Sequence, residues 1–204
     1  MTSSFHPDRW RLFERASEQG GYFTTAQAVK CGISKPLLSH HSRPGGRFLR
    51  VRRGLYRIRE YPPSPREEVI AAWLAAGRDV AVVSHDSALD LLDLSDVVPD
   101  AVHLTIPRAM RYRLRVAGTR LHTTTRPLRA GEVTVRDGIR VTCAERSIVD
   151  AAQAGTAPDQ IVAAVAQAVE RGMTNGSRLR KAAHGRGRRV ERLVQQALQH
   201  HSPA

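Results

Sequence analysis

Hydrophobic positions at the start of the chain follow a helical period. Trp10, Phe13 and Ala16 or Ser17 are spaced by three or four residues, and short stretches of the same kind continue up to residue 43. The spacing predicts helices over residues 8–19, 26–30 and 34–43. A residue type that caps helices stands at the start of each: Asp8, Thr24 and Ser34.

From residue 48 onward the period changes to two. Leu49 and Val51 alternate with arginines, Tyr56 and Ile58 do the same, and Arg53-Gly54 between them suits a tight turn. The pattern predicts a β-hairpin with a basic face, unless a one-residue shift in register reverses the faces. The arginines on or near that face are Arg50, Arg52, Arg57 and Arg59. Three helices followed by a basic hairpin are typical of a winged helix-turn-helix.

Three prolines in the stretch Tyr61-Pro62-Pro63-Ser64-Pro65 disfavour both helix and sheet. We therefore expect a first domain at 1–60, a stiff linker at 61–65 and a second domain at 66–204. In the second domain, helices are expected over 66–76, 84–92, 144–154, 159–171, 175–183 and 189–199. Strands are expected over 80–83, 101–106, 120–124, 133–135 and 139–141. The predicted fold class is α+β, with a winged helix-turn-helix followed by a mixed α/β domain that ends in helices.

The charge of the chain is concentrated near its start. Its 204 residues carry a formal net charge of +13, and the first 60 hold 12 basic and four acidic side chains. A GC-rich genome explains why 29 of the basic residues are arginine, but it does not explain this uneven distribution. A concentrated positive field attracts a polyanion, so nucleic acid is the expected partner.

Other features of the sequence exclude several classes of protein. No apolar run approaches the roughly 18–20 residues of a membrane span. The first seven residues lack the basic and apolar pattern of a leader peptide. Two cysteines are too few for a disulfide framework or a four-thiolate zinc site. We therefore expect a cytoplasmic protein without a membrane partner.

Several short motifs stand in an order known from one protein family. They read FTTAQA at 23–28, CGIS at 31–34, GRFLRVRRGLYRI at 46–58, SHDSALDLLDL at 84–94 and CAERSIVDAA at 143–152. Together they resemble the AbiEi family of antitoxins and transcriptional regulators of type IV toxin–antitoxin systems. The resemblance covers roughly residues 20 to 155.

The resemblance implies a function in two parts. The winged helix-turn-helix would bind inverted repeats in double-stranded DNA at its own promoter, and so repress its own toxin–antitoxin operon. The second domain would neutralise a nucleotidyltransferase-like (AbiEii-type) toxin, directly or indirectly. No enzymatic activity and no cofactor are expected.

Two alternatives stay open. The first is a stand-alone winged-helix transcriptional regulator without a toxin partner. The second is a relative of Vsr-like endonucleases, which need clustered acidic residues and a lysine for metal-assisted cleavage. The last 60 residues offer acidic side chains only on predicted helices, which makes the nuclease the weaker alternative.

The expected DNA contacts lie on the third helix and on the hairpin. A helix in the major groove contacts base edges, whereas arginines of a wing contact phosphates. The candidates are Ser34, Lys35, Ser39, His40, Arg43, Arg47, Arg50, Arg52, Arg53 and Arg57. The alternatives are a helix that only packs against the hairpin and a solvated basic strand edge.

The family motifs of the second domain contain residues that we interpret as structural. Ser84-His85-Asp86 has the residue types of a hydrolytic triad, but neighbouring side chains at a helix start diverge. Ser84 is expected to cap the helix, and His85 to be packed or exposed. Arg146 and Asp150 are four residues apart and predict an ion pair on one helix face.

Histidines and the C-terminal arginines complete the set of candidates. The nine histidines include the adjacent pairs His40-His41 and His200-His201, but no ligand-spaced pair, so no metal site is expected. A second basic surface could bind nucleic acid or dock an acidic partner, or it could be a solvated face. Its members are Arg178, Lys181, Arg189 and Arg192.

Overall fold

Two β-sheets, one of three strands and one of five, organise the computed structural model, which describes residues 7–201. The chain combines α-helices and β-strands in two units, Met1–Arg78 with Asp137–Ile139, and Asp79–Arg136 with Arg140–Ala204. The expected absence of a leader peptide rests largely on residues 1–6, which lie outside the described part. Within residues 7–201, no helix has both the length and the apolar character to cross a membrane.

The first unit begins with helices and closes with strands and a further helix. Its elements are α1 (Arg9–Ser17), β1 (Tyr22–Thr24), α2 (Thr25–Lys30), α3 (Lys35–His41), β2 (Phe48–Arg52), β3 (Leu55–Ile58) and α4 (Glu67–Ala76). The strands pair antiparallel in the order β1-β3-β2.

Side-chain caps start the first three helices where the sequence predicts them. The Asp8 side chain accepts a hydrogen bond from the backbone of α1, and the Ser34 side chain does so for α3. Thr24 and Gln27 form a reciprocal capping box on α2. The caps are confirmed, but α1 and α3 end about two residues earlier than expected.

The core of the first unit lies between helices α1 to α3 and one face of the sheet. Phe23 packs edge-on against Phe48 and stacks on Tyr56, with ring centroids 4.9 and 5.8 Å apart. Leu12 supplies part of the buried face of α1. The spacing of Trp10 and Phe13 suggested that face, but both are exposed, at 69% and 44%.

The register of the hairpin differs from the expected one. Strand β1 was not predicted, because three residues are too few to show an alternation. In the structure Leu49 pairs with Arg57, and Arg50 pairs with Tyr56. Phe48 of β2 therefore shares the core face with Tyr56 and Ile58 of β3, whereas Leu49 lies on the same face as Arg57. An irregularity between Arg50 and Arg52 leaves Val51 41% exposed.

Helix α4 belongs to the first unit, beyond the linker expected at 61–65. Its Glu67 carboxylate accepts hydrogen bonds from Arg57 Nη2 at 2.8 Å and from Tyr22 Oη at 3.3 Å. These bonds attach α4 to the sheet, and the unit continues to Arg78. The prolines therefore lie between β3 and α4 of the same unit, because α4 packs against β1 and β3.

As far as residue 201, the second unit is a five-stranded mixed sheet with five α-helices. Its elements are β4 (Val82–Val83), α5 (His85–Leu91), β5 (Val102–Pro107), β6 (Thr119–Thr124), β7 (Val133–Arg136), β8 (Ile139–Thr142), α6 (Ala144–Ala154), α7 (Pro158–Glu170), α8 (Gly176–Ala183) and α9 (Arg188–His201). The strand order is β6-β5-β4-β8-β7, parallel at β5–β6 and β4–β8. Helix α5 packs against α6 and β5, and α7 packs against α9.

Candidate functional site

Helix α3 presents a polar, basic side to solvent. Leu38 is 1% exposed and fixes the inner side of the helix, with Leu37 and His41 half-buried beside it. The candidate base-contacting residues are all exposed: Ser34, Lys35, Ser39, His40 and Arg43. The helix therefore offers hydrogen-bond donors of the kind that contact base edges in a major groove.

The arginines of the hairpin extend this basic surface. Arg47, Arg50 and Arg53 are exposed, and Arg52 is half-buried. Arg53 and Gly54 form the tight turn that the sequence predicts, and Gly54 adopts a φ of 80°. Within the described residues, no hydrogen bond or ion pair holds the side chains of these four arginines. Their guanidinium groups are available to an anionic partner.

The short connection between α3 and β2 holds these two basic elements side by side. The His41 ring lies edge-on to Phe48, with centroids 5.8 Å apart. Gly46 passes so close to the His41 carbonyl oxygen that any Cβ at this position would overlap it. Burial lowers the pKa of His41, and the charges of Arg9, His40 and Arg47 lower it further. His41 is therefore a neutral packing residue of this surface.

Arg57 is not part of the exposed basic surface, contrary to the expectation from sequence. It is 9% exposed, and its guanidinium donates to the Glu67 carboxylate and to the carbonyl oxygens of Tyr61 and Pro62. The guanidinium carbon of Arg57 also lies over the ring of Tyr22, 5.7 Å from its centroid. The register places Arg57 on the face that α4 covers, which is why it is a structural residue.

In the second unit, Ser84 and His85 contact each other directly, which corrects the expectation that their side chains diverge. Ser84 Oγ lies 2.9 Å from His85 Nδ1 and accepts a hydrogen bond from Thr105 Oγ1 at 2.8 Å. A left-handed backbone at His85, with a φ of 55°, turns its ring toward Ser84. Ser84 stands at the N-cap position, but its side chain does not cap α5.

This arrangement lacks the features of a hydrolytic triad. Ser84 is fully buried, and Asp86 Oδ1 accepts a hydrogen bond from Thr156 Oγ1 instead of orienting His85. The serine hydroxyl therefore has no access to a substrate, and the Asp86 carboxylate is bonded to Thr156 and not to the histidine.

Three histidines come together behind Ser84. Each of His85, His103 and His122 offers one ring nitrogen, and these atoms lie within 4.8 Å of one another. Burial lowers the pKa of all three, and together with the charges of neighbouring histidines it brings the pKa to about 2 for His85 and about 4 for His122. Sequence reasoning missed this trio because its members are 18 and 19 residues apart, on three different elements.

The Arg146–Asp150 ion pair is confirmed and belongs to a larger network. Arg146 donates to Asp150 Oδ2 at 2.5 Å and to Glu132 Oε1 at 2.8 Å. Arg186 reaches the other Asp150 oxygen at 3.2 Å. Asp150 is 4% exposed, so two guanidinium groups compensate one buried carboxylate. The network fixes the start of α6 against the loop after α8.

A groove of about 910 Å³ lies beside this network. Basic side chains outnumber acidic ones in its lining, and they are Arg126, Arg129, Arg146, Arg178, Lys181 and Arg186. Two members of the expected second basic surface, Arg178 and Lys181, line the groove. The other two, Arg189 and Arg192, are exposed on α9 and do not line it. Arg178 also pairs with the buried Glu145 at 2.7 Å.

Comparisons with known proteins agree with the family resemblance of the first unit. Residues 11–59 match the model of a family described as "Transcriptional regulator, AbiEi antitoxin". The resemblance is thereby confirmed for this segment, which contains most of α1 and all elements from β1 to β3. No curated protein matches the chain in sequence.

A solved structure extends the similarity to most of the chain. The chain is similar to the RV2827C protein from Mycobacterium tuberculosis, at 16% identity and a TM-score of 0.57. The similarity covers 93% of this chain and 75% of that protein. At this identity it shows a shared fold.

Proposed function

We propose that the protein is a DNA-binding antitoxin that represses the transcription of its own toxin–antitoxin operon. It would bind inverted repeats in the promoter and, separately, neutralise a nucleotidyltransferase-like toxin of a type IV system. Both activities are binding activities, without a cofactor, and they would take place in the cytoplasm.

The juxtaposition of α3 and β2 carries the DNA-binding proposal. The first unit has the element order of a winged helix-turn-helix, with α3 as the recognition helix and β2–β3 as the wing. Lys35 and Arg43 on α3 would donate to guanine O6 and N7, and Ser39 and His40 would contact bases or phosphates. The match of this segment to a regulator family supports the same assignment.

The wing would position the domain by contacts to phosphates. Arg47, Arg50 and Arg53 are exposed on the hairpin and at its start, and Arg52 is half-buried. Such contacts contribute affinity without sequence information. Together, α3 and the wing give a surface in which one element selects the sequence and the other binds any duplex.

The groove of the second unit is the candidate site for the antitoxin activity. Its exposed basic residues, Arg126 and Lys181 among them, suit an acidic surface of a protein or a phosphate backbone. The family resemblance favours a toxin as the partner.

A mobility-shift titration with the chain's own promoter tests the DNA-binding proposal. We expect a shift that survives excess unrelated duplex and that needs both inverted repeats. Equal affinity for unrelated duplex would contradict an operator-specific regulator.

Co-expression tests the antitoxin proposal separately. We expect this chain to rescue the growth of cells that express the neighbouring nucleotidyltransferase-like gene. A chain that binds its promoter but has no such neighbour, or fails to rescue growth, would be a stand-alone regulator.

A further inference from the structure

The histidine trio of the second unit gathers on one face of the sheet. His122 on β6 is paired with Thr105 of the parallel strand β5, and His103 lies two residues before Thr105 on β5. His103, Thr105 and His122 therefore lie on the same face of the sheet. His85, at the first residue of α5, covers them, with its ring stacked on His122 at a centroid distance of 3.5 Å.

The hydrogen-bonding needs of two of these rings are unmet within the described residues. His103 is 1% exposed, and neither of its ring nitrogens has a hydrogen-bond partner. Asp100 Oδ1 lies 3.7 Å from His103 Nε2, which is too long for a hydrogen bond. His122 Nε2 is likewise buried without a partner. Buried polar groups of this kind are rare, because each loses its hydration without compensation.

The third ring is oriented as metal-binding histidines are. The hydroxyl of Ser84 fixes His85 through Nδ1, and Thr105 in turn donates to that hydroxyl. When Nδ1 donates to Ser84, the lone pair of His85 is on Nε2. A polar partner on the far nitrogen, which sets the tautomer and the direction of the ring, is the usual arrangement around a metal ligand.

We propose that His85, His103 and His122 form a binding site for a divalent transition-metal ion of the zinc class. Three imidazole nitrogens are a ligand set that this class prefers. The ion would bind one ring nitrogen of each histidine, and it would thereby compensate one of the two His103 nitrogens that have no hydrogen-bond partner among the described residues.

The geometry needs a limited adjustment to close around an ion. Metal–nitrogen distances of about 2.0–2.1 Å in a tetrahedron put ligand nitrogens about 3.4 Å apart. The trio spans at most 4.8 Å between its ligand atoms, so the rings must approach by up to about 1.4 Å. Rotation of His122, the most exposed of the three, away from its stack on His85 supplies this change and opens a path for the ion. The fourth position is left to a ligand from solvent.

Binding of an ion would connect β5, β6 and the start of α5. These elements belong to the second unit, whereas the proposed DNA contacts belong to the first. The metal proposal therefore stands or falls independently of DNA binding.

Cobalt titration of the untagged, full-length protein tests the site. After treatment with a chelator and dialysis, Co²⁺ should give the visible absorption of a tetrahedral complex at one ion per chain. Zn²⁺ should displace the cobalt and raise the melting temperature. An octahedral, aqueous-type spectrum, or no saturable binding of either ion, would overturn the proposal.

Two variants and a control separate ligation from packing. His122→Gln should abolish the tetrahedral spectrum, and it is the variant of the trio with the least risk to folding. Ser84→Ala should keep the ligands but weaken zinc binding by about 10–100-fold. His184→Gln, whose side chain is 91% exposed, should bind as the unaltered protein does. Folding of each variant is checked by circular dichroism, and unchanged zinc affinity in folded His122→Gln or Ser84→Ala contradicts the assignment.

Discussion

Arg57 Nη2 lies 2.8 Å from Glu67 Oε1, so the arginine at the centre of β3 binds helix α4 instead of adding to the exposed charge of the hairpin. Sequence alternation treats Arg50 and Arg57 as equivalent, but the structure gives them different tasks. Arg50 is exposed and has no bonded partner in the described residues, whereas Arg57 makes three hydrogen bonds. The two positions form a matched pair for experiments.

Replacing Arg57 should reduce stability more than it reduces DNA affinity. Arg57→Met removes the hydrogen bonds to Tyr61, Pro62 and Glu67 and leaves a partly buried carboxylate without its partner. We expect the free energy of unfolding to fall by about 2–3 kcal/mol, less than for a fully buried pair because Glu67 is one-third exposed. Denaturant titration measures the loss. Arg50→Met, the control, should change stability by less than about 0.5 kcal/mol.

Charge reversal on the wing should weaken binding to every DNA sequence. Arg50→Glu with Arg53→Glu would replace two of the proposed phosphate contacts by repulsion, so mobility shifts with operator and with unrelated duplex should both disappear. The same charge change at Arg113 and Arg115, which are exposed in the second unit, is the control and should leave both shifts. Operator affinity that survives the wing reversal would show that β2 does not contact DNA.

The salt dependence of the unaltered protein should report the number of phosphate contacts. If about five phosphates are neutralised, the logarithm of the binding constant should fall with the logarithm of salt concentration with a slope near −4.5. Titrations at several salt concentrations measure the slope. A slope near zero would contradict electrostatic anchoring by the wing.

Substitutions on α3 should act mainly on sequence preference. Lys35→Ala or Arg43→Ala should cost about 1–3 kcal/mol of binding to the operator while affinity for unrelated duplex changes little. Competition with operators that carry single base changes measures the preference. A loss that is equal for all sequences would assign these side chains to phosphates.

The basic groove should carry the antitoxin activity without affecting DNA binding. Arg178 is a poor choice for mutation, because its loss would leave the buried Glu145 carboxylate without its cation. Arg126→Glu with Lys181→Glu changes exposed groove residues and should abolish the growth rescue in co-expression. Arg189→Glu with Arg192→Glu, on α9 outside the groove, should preserve it. The reverse result would move the antitoxin surface to α9.

The thiol of Cys143 should react slowly although it lines the groove. Burial raises its pKa to about 11, from a usual value near 9. Because only the thiolate is nucleophilic, its fraction at pH 8 is about 100-fold lower than for an ordinary cysteine. A more basic thiolate is intrinsically more nucleophilic, so alkylation of the folded protein should be slower by only about tenfold at pH 8, and it should accelerate about tenfold per pH unit up to pH 11. A rate at pH 8 equal to that of a free thiol would contradict this pKa.

Local features of the first unit could be predicted from the sequence. Asp8, Thr24 and Ser34 act as caps because the interaction needs only a side chain and the backbone two or three residues ahead. The Arg53-Gly54 turn is local in the same sense. The Arg146–Asp150 pair follows from helical spacing alone.

Features that depend on distant pairing could not be predicted. The face on which Arg57 lies is set by register and by the cover that α4 provides. The contact between Ser84 and His85 depends on a left-handed backbone at a non-glycine residue, which sequence patterns do not reveal. The histidine trio needs the parallel register of β5 with β6 as well as that backbone. In each case the prediction would need the tertiary structure, which a local sequence pattern does not contain.

Because Gly46 lies so close to the His41 carbonyl, the connection between α3 and β2 tolerates no side chain at this position. Only a hydrogen atom fits at that point, so the spacing of the two elements is set by the backbone and not by a flexible tether. In a related protein with a glycine at this position, the distance between α3 and β2 would be fixed in the same way. A change in the operator that such a protein recognises would then arise from the side chains of α3, while the distance between α3 and β2 stays constant.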